Sequence, residues 1–92
     1  MLYVCSMQAW AFKQTSFAVD HYLLAVTALG LGARPMEGID AVKAGAVLGI
    51  PSRFVIPVAV ATGTPDMPFR PSPRYPTQEV VYTDSFGNGY SE

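Results

Sequence analysis

The sequence predicts an α+β fold, and three observations carry that expectation. Residues 8–30 hold no proline and no glycine before Gly30, with alanine and leucine throughout, a composition that favours one long helix. Residues 57–63, "PVAVATG", contain a short apolar run rich in β-branched side chains that reads as a strand. Only one further stretch, "EVVYTD" at 79–84, has strand character, so the chain offers too few strands to close a sheet by itself.

At ~1.5 Å per residue the helix over 8–30 would be about 30 Å long. Its second half, "YLLAVTAL", is apolar on nearly every side, which predicts a helix covered on every side. Gly30 supplies the C-terminal stop, since glycine reaches positive φ without a Cβ penalty. Residues 31–40, "LGARPMEGID", read as a loop. Asp40 is placed to N-cap a second, short helix over 41–49, ended by Gly49 with Pro51 just beyond it.

Pro57 has no N–H and therefore belongs at the first position of the strand over 57–63. That strand lacks polar alternation, as strands buried on both faces do, so its neighbours must come from another chain or from polypeptide outside this sequence. Residues 64–78, "TPDMPFRPSPRYPTQ", hold five prolines and form an extended arm. The tail "SFGNGYSE" reads as mobile. No internal repeat is visible.

Composition narrows the function. The 92 residues are 50% hydrophobic and 14% charged, a globular composition for one domain or a piece of one. The net charge of −1 provides no basic field to collect nucleic acid or anionic lipid, so neither is expected as a partner. The apolar stretch over 17–33 is shorter than the ~20 residues a bilayer span needs and includes Asp20 and His21, which argues against a membrane helix. The N-terminus has no basic region ahead of its apolar residues, so no secretory signal is expected. A lone Cys5 makes no internal disulfide, and no histidine or cysteine cluster has metal-ligand spacing. A reducing, cytoplasmic compartment fits these features.

Few side chains stand out for chemistry. Glu37 is the only acidic residue inside the sharp turn and has no second carboxylate nearby to make an acid/base pair; a solvated loop charge is the simpler reading. His21 beside Asp20 suits either half of a proton relay or an ordinary helix-surface histidine. Cys5 is most simply an inert thiol. The backbone of "GLGARPMEG" is more informative, because its glycines let main-chain N–H groups approach a flat or anionic ligand, although a plain helix-to-helix turn fits the pattern as well. Arg70 and Arg74, on an arm stiffened by prolines, suit a phosphate group or simply solvent.

Read in order, "WAFKQTSFAVDHYLLAVTALGLGARPMEGID", "LGIP", the apolar strand closing on Gly63, "RPSPRYP" and "EVVYTDSF" resemble the C-terminal half of the FMN-dependent nitroreductase family. The most specific parts are Trp10, Lys13 and Gln14 in "W-x-x-K-Q" and the block "ALGLGARPMEGID". The resemblance implies a homodimer with the long helix at its core and the 79–84 strand swapped onto the partner subunit. It implies an FMN site in which Pro35, Met36, Glu37 and Gly38 run along the reactive edge of the isoalloxazine ring, with the N–H groups of Glu37 and Gly38 at N5 and O4. Donors there stabilise negative charge on the reduced ring. Arg74 matches the family's phosphate-binding arginine, and Ser72 stands where similar chains carry a lysine, which removes one positive charge from the phosphate site.

The activity so implied is hydride transfer from NAD(P)H through FMN to a small-molecule acceptor, a nitroaromatic, a quinone or similar. No side chain needs to act covalently; positioning over the ring carries the rate. Asp20 and His21 depart from the small or amide residues expected in that helix. Members of the family are roughly twice as long, and their N-terminal half carries further phosphate-gripping residues. The alternative reading is a truncated, non-enzymatic chain that lacks a complete flavin site.

Overall fold

Ser6 opens the first element. In a computed structural model, which describes residues 6–91, its hydroxyl accepts the N–H of Ala9 at 3.1 Å and caps α1, Met7–Ala28. This satisfies one of the orphan donors of the first turn. Cys5 lies outside the described residues. At the other end Gly30 has φ +76, the Gly30 N–H donates to the Thr27 carbonyl at 3.0 Å and the Leu31 N–H to the Val26 carbonyl at 3.1 Å. That paired closure needs a left-handed residue, which is why the helix stops at the glycine.

Directly after the stop the chain becomes β1, Gly32–Met36, and then passes through 37–40 into α2, Ala41–Leu48. Asp40 caps α2 by accepting the Lys43 N–H at 3.1 Å, and Gly49, at φ +68, ends it with the Ile50 N–H donating to the Gly45 carbonyl at 2.9 Å. β2, Ala59–Gly63, pairs antiparallel with β1 in the register Gly32 to Gly63, Arg34 to Ala61 and Met36 to Ala59. α3, Thr77–Val80, is a single turn.

Four expectations are corrected here. The 31–40 segment is not all loop, because Gly32–Met36 is a strand. Pro35 is accommodated because a two-stranded ladder leaves one edge of each strand unpaired, where a missing N–H costs nothing. The strand expected from Pro57 begins instead at Ala59. Residues 79–84 are not a strand: the Glu79 N–H donates to the Pro76 carbonyl and the Val81 N–H to the Thr77 carbonyl, closing a helical turn. Beyond that turn, residues 81–83 meet only the returning segment 88–90, so this backbone satisfies its polar groups locally. The tail is not loose either. Tyr82 and Gly89 form a bridge, with the Thr83 N–H donating to the Asn88 carbonyl at 2.8 Å and the Tyr90 N–H to the Val81 carbonyl at 2.9 Å.

The expected cover over the long helix and the strand is also not supplied by the described residues. Phe12, Val19 and Leu23 of α1 are half-buried in line with Val26, the one buried hydrophobic among the described residues. The Tyr22 hydroxyl meets Thr62 Oγ1 at 2.6 Å, tying that helix to β2. Elsewhere large apolar side chains face outward. The chain exposes 8329 Å², against about 5,200 Å² for a self-contained protein of 9.9 kDa. Its radius of gyration of 17.4 Å likewise exceeds the roughly 12 Å of a compact domain of this length. These residues form an open layer rather than a closed core.

Candidate functional site

One face of α1 builds the wall of a cleft. Phe12, Ser16, Val19 and Leu23 recur at helical spacing, and Asp20 joins them at the cleft edge. Pro35 and Glu37, at the end of β1, form the opposite wall together with Pro57 and Val58, which lead into β2. The space in this open cleft is about 470 Å³, within the range of small-molecule sites. Outside the cleft lining, the bond from Tyr22 to Thr62 ties α1 to the strand that follows Val58.

The turn at the cleft is open at the backbone. The N–H groups of Glu37 and Gly38 donate to no group of the described residues, and Asp40 next along is already committed to capping α2. A Cβ built on Gly38 would meet nothing within 4 Å, so a planar group can lie against that peptide. The Glu37 carboxylate is exposed and makes no ion pair among the described residues. Together these features give an acceptor-seeking edge beside a largely apolar cleft, with carboxylates rather than cations in its lining.

Of the residues the sequence singled out, Pro35 and Glu37 line the cleft, and Met36 and Gly38 adjoin them in the chain. Ser72 and Arg74 do not. Arg74 lines a separate hollow with Pro73 and Tyr75, and its guanidinium donates to the Pro73 carbonyl at 2.9 Å, one of its five available N–H bonds. His21 points to no site; Asp20, its neighbour, is the one that reaches the cleft. Phe12, Ser16, Val19, Leu23, Pro57 and Val58 were missed as site residues. The four on α1 carried a legible signal in their spacing, whereas Pro57 and Val58 are brought in only by the strand pairing.

A second apolar cleft, of about 480 Å³, lies on the other side of Phe12, between the start of α1, α2 and the 50–56 segment. No residue of the turn enters it. Among the described residues no group of three or more histidine, cysteine, aspartate or glutamate side chains gathers to hold a metal, and no helix is long and apolar enough to cross a membrane.

The family model that matches this sequence is that of the nitroreductase family, and it covers residues 6–64. The chain belongs to the nitroreductase family. A protein of Thermus thermophilus named NADH dehydrogenase is 42% identical over 74 residues. The match takes in 80% of this chain and 36% of that protein, so the nitroreductase-family chain spans about a third of its relative's length. The segment matched by the family model contains α1, β1, α2 and β2, hence every wall of the 470 Å³ cleft, while Ser72 and Arg74 lie beyond it.

The residues at the turn fit the ring edge of the flavin that the family implies, while Ser72 and Arg74 stand apart from it. A ring with acceptor atoms along one edge needs donors that are not already used, and a peptide without a side chain in the way. Glu37 and Gly38 supply both.

Proposed function

We propose that this nitroreductase-family chain carries the cofactor-edge half of an FMN-dependent NAD(P)H oxidoreductase. The observation that carries the reading is the pair of unengaged N–H groups at Glu37 and Gly38 beside the cleft, inside the segment that matches the family. When bound, FMN supplies hydride acceptance from NAD(P)H and hydride delivery to an acceptor such as a nitroaromatic or a quinone. The chain's own contribution is placement and polarity. Pro35 and Met36 hold the turn in line with β1, and the N–H groups of Glu37 and Gly38 would donate to the acceptor edge of the ring. Phe12, Val19 and Leu23 exclude water from one side.

Arg74 is assigned to the phosphate, which the carboxylate-lined cleft would repel, and Ser72 adds one hydroxyl donor on the same arm. A second copy of the chain is the proposed partner, supported by the apolar surface left open on α1 and α2. A cytoplasmic location belongs to the same reading. The test is Arg74→Ala beside Glu37→Ala, read as FMN affinity. Loss of a charge-assisted pair should weaken binding about tenfold or more, ~1.4 kcal/mol, while Glu37→Ala should change little because the contact is main-chain. Unchanged affinity in Arg74→Ala would refute the phosphate assignment.

One observation favours a second reading. Arg74 lies apart from the cleft and the layer is open, as in a chain that does not by itself complete a flavin site. In that reading the polypeptide is non-enzymatic unless further chain covers it.

A further inference from the structure

Asn88 is the only asparagine in the sequence, and a glycine follows it. From its surroundings we propose that Asn88 is a self-modification site, converting to aspartate and isoaspartate through a cyclic imide, and that the conversion releases the C-terminal turn.

The chemistry needs a nucleophilic peptide nitrogen after the asparagine and no side chain to hinder it. Both conditions hold. The Gly89 N–H donates to no group of the described residues, although its neighbours on either side are bonded: the Asn88 carbonyl accepts from Thr83, and the Tyr90 N–H donates to Val81. Gly89 also lies close to α3, where a Cβ would stand 3.4 Å from the Gln78 carbonyl, an ordinary contact. The dipeptide is exposed to water. In the step itself the Gly89 nitrogen bonds to Asn88 Cγ and the Cγ–Nδ2 bond breaks. Nδ2 leaves as ammonia with the proton given up by the Gly89 nitrogen. Water then adds to either imide carbonyl, giving aspartate or isoaspartate, with no change of oxidation state.

The consequence follows from one hydrogen bond. Asn88 Nδ2 donates to the Thr83 carbonyl at 2.8 Å and so crosses the turn from its last residue to its first. In the product the donor is replaced by a carboxylate oxygen, which faces the carbonyl oxygen with like partial charge. The isoaspartyl product also lengthens the backbone by one carbon between Thr83 and Tyr90, the two N–H groups that hold the bridge shut. Asp84, at φ +67, adds a strained residue that the closed turn has been holding in place.

The test ages the full chain in mildly alkaline buffer and follows it by tandem mass spectrometry and isoaspartate assay, with Asn88→Gln as the control that lacks the reaction. Isoaspartate at position 88 is expected in the wild type and none in the control. Separately, Asn88→Asp should lower amide-exchange protection of Thr83 and Tyr90 by about tenfold, with α1 unaffected. Intact Asn88 after ageing would overturn the modification site. Unchanged protection in Asn88→Asp would overturn the release of the turn.

Discussion

A methyl group added at Gly32 probes how the sheet and the proline arm meet. Gly32 pairs with Gly63 at the end of the β1–β2 ladder, and a Cβ there would stand 2.8 Å from Cγ and 3.4 Å from Cδ of Pro65. Carbon atoms rest at about 3.5 Å or more, so the ring would have to retreat by roughly 0.7 Å. A pyrrolidine ring cannot rotate aside, and Pro65 is only two residues from the ladder's last pair. The retreat must therefore come from opening that pair or bending the arm. Overpacking of this kind costs about 1–3 kcal/mol. Pro65→Ala removes both offending atoms, so Gly32→Ala should be nearly neutral in that background, a coupling of at least ~1 kcal/mol in the double-mutant cycle. Amide exchange across the ladder reads the cost as a loss of local opening free energy. The same cost for Gly32→Ala in both backgrounds would refute the contact.

Asp40→Ala should unravel the first turn of α2 at a cost of about 1 kcal/mol, because the side chain caps the Lys43 N–H, whereas Asp40→Asn should keep most of that stability. Far-UV circular dichroism on denaturant titration distinguishes the two, and equal losses would show that the exposed 3.8 Å ion pair with Lys43, not the cap, is what matters. Tyr22→Phe should loosen α1 from β2 by about 0.5–1.5 kcal/mol through loss of the bond to Thr62, with no further cost in a Thr62→Val background. Additive losses in that pair would show that the two hydroxyls act independently.

The parts of the fold legible in the sequence are those decided within a few residues. Gly30 and Gly49 stop helices because their positive φ is a local requirement, and Asp40 caps because its target lies three residues on. β1 was hidden because Gly32 and Pro35 are loop residues by local preference, overridden by pairing with a strand that follows only after α2. The reverse happened at 79–84, where a strand-like composition became the end of a helical turn at 79–80 and, beyond it, a single bridge from Tyr82 to Gly89. The turn at Pro35 to Gly38 was legible as an exposed backbone because glycine and proline announce it. The opposite wall of its cleft was not, since Pro57 and Val58 reach it only through the fold. Arg74 stands where neither the fold nor the matched family segment joins it to the turn.

The most direct measurement is a titration of the 92-residue chain with FMN, followed by quenching of flavin fluorescence, with riboflavin titrated in parallel. Saturable binding in the micromolar range, about −8 kcal/mol, is expected for FMN, with riboflavin weaker by the share that Arg74 contributes. Equal binding of the two would remove the phosphate from the site. Absence of saturation with either would contradict the flavin assignment for this chain and leave the incomplete, non-enzymatic reading in its place.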